Sequence, residues 1–386
     1  MKKISSVILA VVILLCGLKY DVAEAFSENG IIYIADKAVS MCADSFWKND
    51  NGTITQEGAN SRNYNVKVVA GYDSEGNPNA GTTEIYFKNL NINVINEEKS
   101  AGVYVDDIGA QIILEGKNTI SLPNRGSSCE YITGIEGSIL VITGKGKLTI
   151  EMGTANVSRG ICADYQLKVS DGAEVIIKPN QESSPYVAGI VTDDFIGTVS
   201  VVNAKISVEA GAATSNSFGI LGGYFNASEA EVFVASGECS ETVESTSAGI
   251  YVGEFINDDS NVVAKGNAAT ESYGLYTGKI HVQGFVENEF IGKTQGLSAD
   301  TVYVPLYDAD AYIGEPVPRI ILGESENAKA ASEIEYDGNG DTLKEKLSDK
   351  KYVNIETYYG DVWYGWLMKI LEPFFEFLEL LLGFMA

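Results

Sequence analysis

Two carboxylates at one repeated position are the first chemistry the sequence offers. Asp164 and Asp193 each stand four residues after a glycine–isoleucine pair, Gly160-Ile161 and Gly189-Ile190, and Asp194 follows directly. If these pairs mark equivalent places in successive turns of one fold, the two aspartates lie roughly 5 Å apart. That separation suits the acid and nucleophile of a retaining glycosidase, or a shared cation. Arg159 is the arginine nearest to them in sequence. A structural reading competes. The same offset holds Asp106, Ser138, Gly223, Gly253, Gly278 and Asp300 elsewhere in the chain. A position that takes Asp or Gly equally is most simply a turn, where left-handed backbone is tolerated. The turn is the preferred reading, and Asp164, Asp193 and Asp194 are the catalytic alternative.

A second set of residues could bind without reacting. Tyr104, Tyr251 and Tyr276 each stand two residues after a repeat glycine, with Tyr224, Phe255 and Tyr273 nearby. In a strand whose preceding aliphatic points inward, these tyrosines point outward. Stacked on successive turns they would offer a platform to the apolar faces of sugar rings. The bland counterpart is a surface ladder that only supports strand pairing. For metals the sequence offers little. Asp106 and Asp107 are adjacent carboxylates, and Asp337-Gly-Asn-Gly-Asp341 begins like a calcium loop. The glycine that pattern needs is replaced by Thr342 and its final glutamate by Ser348, so a plain turn is favoured. No cofactor is expected, and Ca²⁺ is the one ion left open. His281 is the single histidine, which excludes a His-rich metal site. Cys42, Cys129, Cys162 and Cys239 are too irregularly spaced for a disulfide framework or a CxxC site and read as buried thiols.

These residues need a scaffold, and a repeat supplies it. Gly102, Gly134, Gly160, Gly189, Gly219, Gly249, Gly274 and Gly296 recur at steps of 22 to 32 residues, each followed by Val, Ile or Leu. Further β-branched runs follow, such as Leu140-Val-Ile142 and then Leu148-Thr-Ile150. Period-two alternation with β-branched residues predicts strands. Three short strands per coil predict an all-β fold, a single-stranded right-handed parallel β-helix. Its inner ladder would be Val103, Ile135, Ile161, Ile190, Ile220, Ile250, Leu275 and Leu297. A β-sandwich is the lesser alternative, since its strands recur at shorter spacing.

The ends differ from the middle. Met1-Lys-Lys3, the apolar stretch Ile4–Leu18 and Ala23-Glu-Ala25 predict a signal peptide over residues 1–25. Residues 26–84 are expected to form an N-terminal β cap and 85–325 the β-helix repeats. Residues 326–356 are expected to hold a closing turn, a short helix over Thr342–Asp349 and the last strand. Residues 357–386 form an apolar amphipathic tail. Within it Lys369, Glu372, Glu376, Glu379 and Gly383 make one thin polar stripe. Residues 363–386 then cap the solenoid as a helix, lie in a membrane interface, or contact a protein partner. The net charge of −26 repels phosphate backbones, so no nucleic acid is expected.

Two phrases carry a family resemblance: Tyr131–Ile150 and Ala101–Ile120. They resemble the coil phrases of secreted bacterial right-handed parallel β-helix repeat proteins described as carbohydrate-binding, within the pectate-lyase-like superfamily. Asn51–Thr55 and Glu84–Ile92 are similar to their lead-in hairpin and first rung, and Ile320–Gly323 with Lys351–Ile355 to their closing strands. The resemblance implies export from a Gram-positive bacterium and a polysaccharide or host-surface glycan as partner. The expected function is therefore a non-catalytic, secreted or cell-surface glycan-binding or adhesive solenoid. A polysaccharide lyase or glycoside hydrolase, and a purely structural surface rod, are the alternatives. No catalytic motif of the family carries over.

Overall fold

The structure is a computed structural model. It describes residues 31–34, 37–40, 46–50, 53–57, 64–69, 83–88, 90–94, 100–106, 110–179, 182–240, 244–284, 286–304 and 316–359. Two long sheets run along one rod. The first collects the strands that carry the repeat glycines: Ser100–Asp106, Tyr131–Thr143, Val157–Ser170, Ser184–Val191, Ala213–Ser228, Thr246–Asp258, Glu271–Gln283 and Gln295–Tyr303. All pair in parallel. Their registers align Val103, Ile135, Ile161, Ile190, Ile220, Ile250, Leu275 and Leu297 in one column. Every member of that column is fully buried. The second sheet stacks Lys117–Ser121, Lys147–Glu151, Glu174–Lys178, Lys205–Glu209, Glu231–Ala235, Asn261–Lys265 and Glu287–Ile291 in parallel. The chain is thus a parallel β-solenoid of about seven turns. One coil cannot bury its own apolar face, so the aliphatic residues dictate stacking. Between the sheets Phe225 stacks on Phe255 at 5.3 Å, and Phe255 meets Phe290 edge-on at 5.7 Å.

Three details depart from the expectation, each for a steric reason. First, the two leading runs of a coil fuse into one long bent strand in six rungs, so the cross-section has two sheets and not three strands of equal standing. Second, the repeat glycines serve close approach. A Cβ on Gly134 would lie 2.6 Å from the Gly160 carbonyl oxygen and 2.7 Å from Ile150 Cγ2 of the facing sheet. Third, the offset residues four positions on have no positive φ. Left-handed backbone instead falls at the corner into the second sheet, at Gly144, Asp171, Asn203, Glu229, Asp259 and Gly284, with φ between 47° and 95°.

Antiparallel pairs close both ends. Ile31–Ile34 pairs with Lys37–Ser40, and Phe46–Asp50 with Thr53–Glu57. Parallel pairing begins at Thr53–Glu57 and Tyr64–Val69, already inside the segment expected to be the cap, and continues at Thr83–Lys88 on its border. At the other end Tyr352–Tyr359, Pro316–Gly323 and Ser332–Ile334 extend the second sheet antiparallel. The short helix is found at Gly340–Leu347, and the Asn339 side chain caps it by accepting from the Asp341 and Thr342 amides. The expected signal peptide and the tail from residue 363 lie outside the described residues. Among the described residues no helix is long and apolar enough to cross a membrane.

Candidate functional site

The tyrosine column is real. Two residues after each repeat glycine, the registers align Tyr104, Glu136, Cys162, Val191, Leu221, Tyr251, Tyr276 and Ser298 on the outer face of the first sheet. Tyr251 and Tyr276 stack with ring centres 4.4 Å apart and planes 7° apart. Tyr104 shares the column but stands five rungs from Tyr251, about 24 Å at the usual strand spacing. It belongs to a different part of the surface.

The stacking distance fixes how the rings stand. Two coplanar phenols would overlap at 4.4 Å, so both rings stand upright on the sheet with their faces looking along the rod. Their hydroxyls lie within hydrogen-bond reach of each other. Phe218 closes the far side of Tyr251 edge-on at 5.5 Å, and Tyr273 flanks Tyr276 at 5.2 Å. Burial, and then the phenol of Tyr276, raise the Tyr251 hydroxyl above the ordinary tyrosine range, and burial raises Tyr273. At neutral pH both are hydrogen-bond donors. The expected flat platform is therefore an upright wall.

Beside that wall lies the row of positions whose Asp and Gly residues predict turns. Gly223, Gly253 and Gly278 fall in one column because the register continues unbroken across them: Gly222 aligns with Val252 and Thr277, and Tyr224 with Glu254 and Lys279. A Cβ on Gly253 would sit 2.9 Å from the Gly223 carbonyl oxygen, and one on Gly278 2.9 Å from that of Gly253. Stacked rungs come too close for a side chain, so the floor is bare backbone. The result is a trough along the rod. Leu221, Tyr251 and Tyr276 form one wall, and Tyr224, Glu254 and Lys279 the other. Glu254 and Lys279 form no ion pair among the described residues. Three consecutive repeats with Gly at one offset, flanked by tyrosines, were the legible signal.

The carboxylates of the catalytic alternative are engaged elsewhere. Asp193 Oδ1 accepts from the Phe195 and Ile196 amides at 2.9 and 3.0 Å, and these bonds hold its pKa below the usual carboxylate range. Asp164 Oδ2 accepts from the Ser138 hydroxyl at 3.3 Å. Asp193 and Asp164 are nevertheless neighbours, since the Asp193 amide donates to the Asp164 carbonyl. Asp194 is exposed in the same turn. Of the metal candidates, Asp337 Oδ1 accepts from the Asn339 amide and Asp341 opens the helix; Asp106 ends its strand, and Asp107 lies outside the described residues. No group of three potential metal-ligating residues comes together among the described residues.

Arg159 is half-buried on the same sheet. Its Nη1 donates to Cys162 Sγ at 3.6 Å, and its Nε is buried without a partner, as is Thr133 Oγ1 in the adjoining rung. Burial pushes the Cys162 thiol up to about 11 despite the guanidinium, and burial likewise raises Glu136 and Tyr186. Cys129, Cys162 and Cys239 are buried, as expected, and form no disulfide with one another; Cys42 lies outside the described residues. A separate cleft at the closing end is lined by Leu322, Ile334, Glu345 and Lys346, and the Lys346 ammonium there is tied to the Glu335 carbonyl.

Comparison with known protein families, with curated proteins and with solved structures finds no match. The likeness read from the sequence stands at the level of the solenoid fold.

Proposed function

We propose that the trough over Gly253 and Gly278 is a non-catalytic glycan-binding site on a secreted or cell-surface rod. One observation carries this reading: a bare backbone floor lies between the upright Tyr251–Tyr276 wall and the Tyr224–Glu254–Lys279 wall. Saccharides present alternating apolar C–H patches and hydroxyls. The trough answers with aromatic surface, phenol donors, a carboxylate acceptor and an ammonium donor, the mixture that orients a small ligand. The engagement of Asp164 and Asp193 in Ser138 and in the turn amides supports binding over hydrolysis. The resemblance to secreted carbohydrate-binding β-helix proteins supports the ligand class and the exported location.

The full chain on a glycan array tests this. Binding to at least one saccharide is expected, weakened tenfold or more by Tyr251→Ala with Tyr276→Ala. Silence across the array, or binding that survives the double substitution, overturns it.

A further inference from the structure

The trough is walled off at one end, and we infer that it reads the end of a saccharide chain, not its interior. This rests on the glycan-binding reading above. The floor glycines differ in exposure: Gly253 is open to solvent, whereas Gly223 is buried. What covers Gly223 is the turn Asp193–Gly197 of the preceding rung. A Cβ on Gly223 would sit 2.8 Å from the Phe195 carbonyl carbon and 2.9 Å from its oxygen.

That turn is fixed to the floor. The Gly223 amide donates to the Asp193 carbonyl at 2.9 Å, and the Tyr224 amide to the Gly197 carbonyl at 2.8 Å. Inside the turn, Asp193 Oδ1 holds the Phe195 and Ile196 amides, and the Gly197 amide donates to the Asp193 carbonyl at 3.0 Å. Backbone bonded this densely is a wall and not a mobile lid. On top of it stand Phe195 and Ile196, 84% and 59% exposed. Two large apolar side chains on one exposed turn mark a contact surface. They are placed to cover the last sugar ring of a chain that has run into the wall.

The opposite end is different in kind. At the last rung the floor position is Asp300, and Lys344 of the helix Gly340–Leu347 reaches it, its ammonium 3.5 Å from the carboxylate and donating to the Asp300 carbonyl at 3.0 Å. Both side chains are exposed, and a solvent-screened pair of this kind is held weakly. A ligand chain can leave there by displacing the exposed Lys344 side chain, whereas the turn at the other end is backbone bonded to the floor. From Gly223 to Asp300 is three rung spacings, roughly 14 Å, so the site holds a short terminal stretch.

The test uses the full chain with a length series of cello-, xylo- and mannooligosaccharides, each coupled to a surface through one end or through the other, beside the parent polymers. The expected result has three parts. Affinity rises with length only until the trough is filled. One coupling direction abolishes binding. Each polymer binds in proportion to its chain ends and not to its mass. Phe195→Ala with Ile196→Ala is expected to weaken the shortest bound oligosaccharide at least fivefold while circular dichroism stays unchanged. Equal binding in both coupling directions, or binding in proportion to polymer mass, overturns end recognition and leaves the glycan site standing. No binding by any probe overturns both.

Discussion

Asp193 shows how a residue suited to catalysis is used as a fastening. Its carboxylate accepts two amides of its own turn, and those bonds depress its pKa. The sign of the linkage follows. A carboxyl whose folded pKa lies below its unfolded value stabilises the fold at pH above the ordinary aspartate range. That stabilisation is lost as pH falls through the depressed value. Asp193→Asn keeps the side-chain acceptor for both amides, and Asp193→Ala removes it. Urea-denaturation midpoints followed down the acid limb are therefore expected to separate three cases. The native chain loses stability in this window relative to both variants, which carry no titrating group there. At neutral pH the alanine variant is the least stable of the three, with the asparagine variant between. An alanine variant as stable as the native chain at neutral pH would show that the turn is held by something else.

At the level of the elements, the stacked strands were legible and the corners were not. Glycine followed by an aliphatic residue marks each rung because two separate constraints fall on adjacent residues. The facing sheet leaves no room for a Cβ at Gly134 or Gly160, and the core needs Ile135 or Ile161. The corner into the second sheet has one constraint, a positive φ, which Gly, Asp, Asn and even Glu229 meet. Four residue types at one structural position leave no repeat to see. The trough escaped for a related reason: alternation tells whether a side chain points in or out, not which way a ring turns once outside. Glu229, at φ 49°, carries the clearest strain among these corners, of order 1 kcal/mol for a residue without a short polar side chain. Glu229→Asn is expected to stabilise the chain by about 0.5–1 kcal/mol in denaturant titrations, because asparagine adopts this backbone more readily. Glu229→Gln removes the same charge but keeps the strain, so it isolates the backbone effect. Equal gains from both substitutions would assign the effect to charge.

For the molecule as a whole, the problem is how a parallel rod ends. Each sheet finishes in a strand with unpaired backbone, a template for another copy. The second sheet ends in antiparallel strands and finally in the three-residue strand Ser332–Ile334, which offers little to pair with. The first sheet ends at Gln295–Tyr303, and there the helix Gly340–Leu347 takes over the edge. Leu343 and Leu347 are 1% exposed, the Lys344 ammonium bonds the Asp300 carbonyl, and the Tyr336 hydroxyl bonds that of Val304. Leu343→Asp with Leu347→Asp should strip the helix from the edge and leave the rest of the rod folded. Two such ends can then pair with each other. Since the opposite end closes with the four-residue strand Ile31–Ile34, pairing should stop at dimers and not grow into fibres. The charge of −26 sets the conditions, because two rods of like sign repel over roughly 10 Å at 0.1 M salt and less as salt rises. Light scattering should therefore find the double variant monomeric at low salt and increasingly dimeric at high salt and high concentration, while the native chain is unaffected by the same change. A variant that keeps its β-sheet circular dichroism yet stays monomeric throughout would mean that the helix is not what protects the edge.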